Sequence, residues 1–354
     1  MARVLVAMSG GVDSSVAAWL LRQQGHDCLG VTMQLYDNPT AGIPQGHTCC
    51  TLDDAEDARA VARRLGIPHY VFNFKEAFER YVIRNFTESY LAGRTPNPCI
   101  RCNRFLKFDL LLRRARELGC DCIATGHYAV LERAGDRVEL RKAADAAKDQ
   151  TYVLYAMTGD QLAHTLFPLG GLHKSEVRLI AQREGFVNAR KKDSQDICFV
   201  PDGDYAAFLE SCTGRALKPG DLLDTAGNVL GRHRGAAAYT LGQRRGLGFA
   251  AGERIYVCAK DMEKNTVTLG PEEALYTDTV LAEDWNWTVP PPVGPMRARV
   301  KLRYRQTEQP ALLTALPDDR VELRFDAPQR AVTPGQAAVA YDGDLVLGGG
   351  TILA

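Results

Sequence analysis

The fold is decided by the stretch Val4-Leu5-Val6-Ala7-Met8-Ser9-Gly10-Gly11-Val12-Asp13-Ser14-Ser15. Its first five residues form an apolar run that is typical of a buried parallel strand. Beyond it, Val16, Trp19 and Leu20 are spaced for one face of a helix. Paired glycines let the backbone turn tightly, and the free N–H groups of a first helical turn carry partial positive charge. We therefore predict a strand, loop and helix that bind a phosphate group.

The loop lacks the Lys-Ser/Thr ending of a Walker loop and the G-x-G-x-x-G pattern of a dinucleotide site. It resembles instead the S-G-G-x-D-S loop of the ATP pyrophosphatase family. The resemblance implies that the loop binds the pyrophosphate end of ATP while a substrate oxygen attacks the α-phosphate, and that Asp13 holds Mg²⁺ on the phosphates. The nucleotide contacts that it implies are Ala7, Met8, Ser9, Gly10, Gly11, Val12, Asp13, Ser14, Met33 and Gly126.

Strands and helices alternate from the first residue to about 200. Strands are predicted at 28–34, 68–72 and 120–125, with helices at 52–65 and 105–118. Such alternation predicts a Rossmann-like doubly wound parallel sheet, in which ligands bind beyond the carboxyl ends of the strands. The phosphate loop, Met33 and Gly126 should therefore face one crevice. Two insertions interrupt the pattern, a Gly, Pro and Thr-rich loop at 38–50 and a hairpin at 130–140.

The composition changes beyond Pro201, where short elements and many glycines suggest a small mixed domain. Pro290, Pro291 and Pro292 then interrupt the chain. Alternating segments at 297–305, 311–315, 321–325 and 337–340 predict a small antiparallel β-barrel. We predict three domains: a nucleotide-binding catalytic domain at 1–202, a central domain at 203–280 and the barrel at 281–354.

The overall composition is that of an ordinary globular protein, with 45% hydrophobic and 24% charged residues. No apolar run is long enough to span a membrane, and the chain enters a strand too early to leave room for a signal peptide. We therefore expect a cytoplasmic protein without a membrane partner. Its ten cysteines are then thiols, metal ligands or catalysts, and most are inert. Equal counts of 43 basic and 43 acidic residues give no overall charge argument for a nucleic-acid partner.

A second motif is Thr95-Pro96-Asn97-Pro98-Cys99-Ile100-Arg101-Cys102-Asn103. Cys102 is predicted near the N-terminus of the helix at 105–118 and beside basic residues, an environment that favours the thiolate nucleophile. The alternative is a zinc knuckle built on Cys99 and Cys102. A structural zinc site of four ligands would need a second nearby pair, and the sequence has no second C-x-x-C.

A third motif is Lys191-Lys192-Asp193-Ser194-Gln195-Asp196-Ile197-Cys198-Phe199. Alone, its cysteine fits a buried core thiol equally well. Taken with S-G-G-V-D-S-S and T-P-N-P-x-x-x-C-N in the same order, the motif resembles the tRNA-specific 2-thiouridylase family. The resemblance implies that ATP adenylylates C2–O of the wobble uridine, and that a Cys198 persulfide, loaded by a sulfur-carrier protein, delivers sulfur. Cys102 then releases that sulfur by forming a transient disulfide with Cys198.

Cys99 departs from the motif of many family members, which carry Asp at this position. Cys99, Cys102 and Cys198 would supply three thiolates and leave one open position on a four-iron, four-sulfur cluster. Family members with this C-x-x-C variant are thought to use such a cluster to carry the sulfur. We retain this as an alternative that changes the roles of all three cysteines and leaves the overall reaction unchanged.

The resemblance also implies residues that contact the tRNA anticodon arm. A physical argument supports the run at 297–305, where period two places five cations on one strand face with no acidic residue among them. The alternative interpretation is that this strand face is simply exposed to solvent. A central patch of four arginines would extend the RNA-binding surface: Arg232, Arg234, Arg244 and Arg245. The implied RNA contacts are His127, Lys148, Asp149, Gln150, Arg303, Tyr304 and Gln336.

Two other functions compete with a tRNA sulfurtransferase. An ATP pyrophosphatase that makes an amide or amidine bond would use the same loop without needing Cys102 or Cys198. A non-catalytic tRNA-binding protein or iron–sulfur scaffold would not release pyrophosphate.

Overall fold

The computed structural model describes residues 1–36, 52–191, 197–200, 203–248 and 254–353. The predicted loop at 38–50 and residues 192–196 of the third motif lie outside these ranges. Within them, no helix combines the length and apolar character needed to cross a membrane.

The helices are α1 (Val12–Gln23), α2 (Leu52–Leu65), α3 (Lys75–Phe78), α4 (Arg84–Leu91), α5 (Pro98–Arg101), α6 (Leu111–Glu117), α7 (Gly159–Ala163), α8 (Lys174–Arg183) and α9 (Tyr205–Thr213). The strands are β1 (Arg3–Ala7), β2 (Asp27–Gln34), β3 (His69–Asn73), β4 (Cys122–Ala124), β5 (Val130–Ala134), β6 (Arg137–Arg141), β7 (Thr165–Leu166), β8 (Gly220–Leu223), β9 (Val229–His233), β10 (Tyr256–Asp261), β11 (Thr266–Gly270), β12 (Tyr276–Trp287), β13 (Met296–Lys301), β14 (Gln309–Leu316), β15 (Arg320–Arg330), β16 (Ala337–Asp342) and β17 (Leu345–Ile352). Glu79–Ile83 and Cys102–Leu110 are π-helical.

The chain forms two compact units. The first comprises Met1–Ile83, Pro98–Gly203 and Gly343–Leu347. The second comprises Arg84–Asn97, Asp204–Asp342 and Gly348–Ala354.

The first unit is built on a parallel sheet with the strand order β3-β2-β1-β4-β7. Its central strand β1 buries Val4, Leu5 and Val6 completely, as expected for a strand covered on both faces. Residues of α1, α2 and α8, including Val16 and Val177, pack against the same core. The predicted doubly wound α/β fold is confirmed.

The predicted hairpin of the first unit is also confirmed, as β5 and β6. Gly135 at its turn has φ +63°, a left-handed conformation that glycine adopts without strain. Arg141 of β6 pairs in turn with Leu345, at the start of β17.

The second unit contains a small mixed sheet and a barrel. The small sheet has the order β10-β11-β8-β9 and encloses a core around Leu222, Val257 and Leu269. Strands β12-β15-β14-β13-β16-β17 form the barrel, which closes where β17 pairs with β12. Closure removes exposed strand edges and confirms the predicted antiparallel barrel.

The cationic run at 297–305 differs from the prediction in two respects. The strand ends at Lys301, so only part of the run alternates between the barrel interior and solvent. Arg297 forms an ion pair with Asp326, and Arg299 lies 3.9 Å from Glu308. Acidic residues outside the run therefore balance part of its charge, since Asp326 lies on β15, two strands along the sheet from β13, and Glu308 immediately precedes β14.

Candidate active site

The phosphate loop is held rigid by its own hydroxyls. Ser14 Oγ accepts a hydrogen bond from the Ser9 amide at 3.1 Å, and the hydroxyls of Ser14 and Ser15 donate to the Gly11 carbonyl at 3.1 and 2.9 Å. Gly11 precedes α1 and provides no side-chain cap. The first turn of α1 therefore offers backbone N–H groups and the positive end of its dipole to an anion.

Gly10 occupies a position that only glycine can take. Its φ is +73°, and a Cβ there would lie 2.2 Å from the Asp54 carbonyl oxygen. The Gly10 carbonyl accepts hydrogen bonds from Asn188 Nδ2 at 3.0 Å and Lys191 Nζ at 3.3 Å. The Lys191 ammonium also binds the carboxylates of Asp54 and Asp57, at 2.6 and 2.7 Å. Asn188 and Lys191 thereby join the phosphate loop to the start of α2.

A pocket of about 180 Å³ opens beside this loop, at the carboxyl edge of the sheet. It contains seven of the predicted nucleotide contacts, whereas Gly10, Gly11 and Val12 do not line it. Gly126 closes one side, and a Cβ there would lie 2.7 Å from the Ser14 nitrogen. The lining residues are Ala7, Met8, Ser9, Asp13, Ser14, Val31, Met33, Lys107, Thr125, Gly126, His127 and Gln150.

Asp13 has partners that the sequence did not reveal. Lys174 Nζ lies 2.7 and 2.8 Å from the two carboxylate oxygens, and the Tyr128 hydroxyl donates to one of them at 2.9 Å. Lys174 is the first residue of α8, where the sequence shows only a capping pattern between His173 and Glu176. No sequence signal connected this lysine with a loop residue far earlier in the chain.

His127 and Gln150, predicted as RNA contacts, both line this pocket beside the phosphate loop. His127 Nδ1 lies 2.7 Å from Thr125 Oγ1, and its ring packs against Phe108 and Phe167. Burial, and secondarily the charge of Lys107, holds the pKa of His127 well below its usual value, so the imidazole is neutral. A neutral ring can hydrogen-bond or stack on an uncharged base.

Lys148, Asp149 and Gln150, the neighbouring residues predicted to contact RNA, make different hydrogen bonds. Gln150 exchanges two hydrogen bonds with the backbone of Tyr128, each 2.9 Å long. Asp149 accepts hydrogen bonds from the Ala143 amide and the Thr151 hydroxyl, at 3.1 and 2.7 Å. Lys148 lies in the turn before them, where its amide donates to the carbonyl oxygen of Asp145.

Cys102 lies deeper in its helix than predicted. The helix starts at Pro98, a favourable first position for proline, and continues as a π-helical segment from Cys102. Cys99, and not Cys102, therefore occupies the first turn and is exposed, while Cys102 is 9% exposed. Arg101 Nε donates to the Tyr81 carbonyl at 3.1 Å. The predicted helix start at 105 is wrong by about two turns because the prolines were interpreted as an extended entry.

Cys198 is partly exposed and lies in the described segment 197–200. Its carbonyl oxygen accepts a hydrogen bond from the Tyr36 hydroxyl at 2.9 Å. Across the described ranges, no three His, Cys, Asp or Glu side chains are arranged to hold a metal ion. Cys99, Cys102 and Cys198 thus do not form a metal-binding group in this conformation.

The remaining predicted RNA contacts lie in the second unit. Arg303 donates to the Ala331 carbonyl and to Thr333 Oγ1, and Tyr304 is 40% exposed. Gln336 Nε2 donates to the Thr95 carbonyl at 2.8 Å.

Family models match nearly the whole chain. Their descriptions are tRNA methyl transferase HUP domain for residues 2–202, tRNA methyl transferase PRC-barrel domain for 206–271 and aminomethyltransferase β-barrel domain for 277–352. A tRNA-specific 2-thiouridylase of Geotalea uraniireducens is 52% identical over 354 residues, covering 99% of this chain and 94% of the relative. The chain belongs to the tRNA-specific 2-thiouridylase family.

Another tRNA-specific 2-thiouridylase, from Geobacter metallireducens, is 50% identical over 354 residues and is covered to 96% of its length. Membership of the tRNA-specific 2-thiouridylase family confirms the predicted class, a tRNA sulfurtransferase with an ATP-binding fold. Among solved structures, a 4-thiouridine synthetase in complex with RNA and ATP shares 20% identity at a TM-score of 0.37, over 56% of this chain and 45% of that one.

Proposed function

We propose that this chain catalyses the ATP-dependent 2-thiolation of the wobble uridine in tRNA anticodons. The observation that carries the proposal is the shared pocket. Phosphate-loop residues such as Ser9 and Asp13 line the same space as the neutral His127 and Gln150. The pocket therefore offers phosphate-binding groups and base-recognition groups side by side.

The first step makes a leaving group of the uridine oxygen. C2–O attacks the α-phosphorus of ATP as the N3 proton leaves, an O–P bond forms, and pyrophosphate departs. The N–H groups at the start of α1, with the hydroxyls of Ser9 and Ser14, bind the phosphates and stabilise their developing charge. A Mg²⁺ ion on these phosphates would be held by Asp13, whose hard carboxylate oxygens suit the ion and would exchange their contacts with the Lys174 ammonium for it.

The second step replaces that oxygen with sulfur. The terminal sulfur of a Cys198 persulfide, loaded by a persulfide sulfur-carrier protein, attacks C2, and AMP leaves with the C–O electron pair. The Cys102 thiolate then attacks the Cys198 sulfur, and the S–S bond to the transferred sulfur breaks. The electron pair stays on the new 2-thiouridine, and an external thiol reductant later supplies two electrons to the Cys102–Cys198 disulfide.

The alternative route through an iron–sulfur cluster would require Cys99, Cys102 and Cys198 to come together as thiolate ligands. The three cysteines that would bind the cluster do not form a metal-binding group. We therefore assign no step to a cluster.

The tRNA anticodon arm is the proposed partner. Splayed bases are read by hydrogen bonds and stacking, which His127, Lys148, Asp149 and Gln150 can supply near the pocket. Arg303, Tyr304 and Gln336 are the proposed contacts of the second unit. The central arginines remain proposed contributors, and Arg232 among them lies 3.1 Å from Asp221.

Separate measurement of the two steps tests the proposal. Unmodified tRNA transcript, ATP and a persulfide donor are supplied, and pyrophosphate and 2-thiouridine are both quantified. Asp13→Ala is expected to lower tRNA-dependent pyrophosphate release by about a hundredfold. Cys102→Ser and Cys198→Ser should keep pyrophosphate release and lose thiouridine.

Other outcomes would identify the competing functions. Product formation with ammonia or an amino acid that survives both cysteine changes would indicate an amide ligase. Tight tRNA binding without pyrophosphate release would indicate a non-catalytic protein. Full thiolation by iron-free protein would eliminate the cluster alternative.

A further inference from the structure

Cys198 is followed by a strongly buried residue. Phe199 is 2% exposed, and its ring meets that of Phe78 edge-on, with centroids 5.6 Å apart. The Tyr36 ring lies 5.8 Å from Phe78, and Tyr36 is 8% exposed. We call Tyr36, Phe78 and Phe199 the aromatic clamp.

The clamp also binds the backbone of Cys198 itself. The Tyr36 hydroxyl donates to the Cys198 carbonyl oxygen at 2.9 Å. Packing of Phe199 fixes one side of the cysteine, and this hydrogen bond fixes the peptide group that joins the two residues. The partly exposed Cys198 side chain therefore projects from a backbone held at two adjacent points.

The clamp is connected directly to the nucleotide pocket. Tyr36 follows the end of β2, and Met33 of the same strand lines the pocket. The carboxyl edge of the sheet that supports the nucleotide site thus also supports the backbone of Cys198.

We propose that Tyr36 is a positioning residue for sulfur delivery, an inference that rests on the proposed thiolation. A persulfide must reach C2 of an adenylylated base within a short distance and at a defined angle. Restraint of the attacking group reduces the entropy lost on reaching that geometry. The Tyr36 hydroxyl supplies this restraint, and Tyr36 is not among the residues that line the pocket in which adenylylation is proposed to occur.

Tyr36→Phe removes the hydroxyl and keeps the ring packing. One hydrogen bond of this kind corresponds to a change of about two- to twelvefold in an equilibrium. We expect thiouridine formed per pyrophosphate released to fall by that factor, with pyrophosphate release unchanged. Amide hydrogen exchange, measured in a proteolytic fragment that contains Cys198, should accelerate by the same factor.

Tyr239→Phe is the matched control. Tyr239 is a buried tyrosine of the second unit that packs against His233, and its substitution should change neither readout. Unchanged exchange in Tyr36→Phe, or an equal loss of pyrophosphate release and thiolation, overturns the positioning role. If the wild-type protein neither releases pyrophosphate nor thiolates, the proposed function fails, while exchange of the Cys198 peptide still decides whether the hydroxyl restrains it.

Discussion

Removal of the Lys174 charge should loosen the phosphate loop. Lys174→Met keeps the length of the side chain but deletes both contacts to the Asp13 carboxylate, at 2.7 and 2.8 Å. The Tyr128 hydroxyl remains as the partner of one carboxylate oxygen. Asp13 would then keep its negative charge beside the pocket and lose the ammonium group that lies against both of its oxygens.

The size of the effect follows from burial. The Lys174 side chain is 11% exposed and the Asp13 side chain 32% exposed, so the pair is intermediate between a surface and a buried ion pair. Hydrogen bonds to charged groups contribute about 1.5–3 kcal/mol, and water can replace part of that at Asp13. We expect the local opening free energy of the β1–α1 region to fall by about 1–2 kcal/mol.

Amide hydrogen exchange of peptides that cover 8–23 measures this loss directly. A decrease of that size accelerates exchange by a factor of about five to thirty. Asp13→Asn combined with Lys174→Met completes a double-mutant cycle, and the two changes should be strongly non-additive. Additive effects, or unchanged exchange in Lys174→Met, would refute the reasoning.

Three further predictions concern the phosphate loop and the pocket beside it. Gly126→Ala should weaken ATP binding by about tenfold or more, measured by calorimetry, because its Cβ would lie 2.7 Å from the first-turn backbone of α1. Gly10→Ala should destabilise the protein by at least about 2 kcal/mol in thermal unfolding, since φ is +73° and the Asp54 backbone lies 2.2 Å from its Cβ. The control Gly11→Ala, whose Cβ would meet its nearest neighbour at 3.5 Å, should fold normally. His127 has a lowered pKa, so the unfolded chain binds its proton first as pH falls. Protonation of this histidine in the unfolded chain should therefore lower the free energy of unfolding by about 1.4 kcal/mol for each pH unit below about pH 6.5. This loss continues until the pH reaches the lowered pKa of His127 in the folded protein. The pH dependence of unfolding should flatten in His127→Gln, and an identical slope in both proteins would contradict the assignment.

The residues that line the pocket beside the phosphate loop could largely be predicted from the sequence because the signals for them are local. The apolar run before Ser9 and the glycines after it specify a strand and a tight turn through short-range sterics. Met33 lies near the end of β2, and Gly126 follows the end of β4. Both lie beside the loop because parallel strands share one carboxyl edge of the sheet. Each of these inferences needed only a few neighbouring residues.

Two differences between prediction and structure came from interpreting local patterns without their neighbours. The two prolines predict an extended entry, yet Pro98 begins the helix that contains Cys102. The run at 297–305 contains no acidic residue, yet Asp326 and Glu308 lie beside two of its cations in the folded barrel. Neither partner could be assigned before the strand pairing was known.

What the sequence alone determined is the glycine-rich loop after the first strand and membership of a family of tRNA-modifying enzymes. The tertiary structure decided which side chains act together. Lys174 neutralises Asp13, Lys191 joins Gly10 to α2, and Tyr36 holds the backbone of Cys198. These contacts join residues far apart in the chain, and their energy depends on burial and distance, which arise only when the strands have found their register.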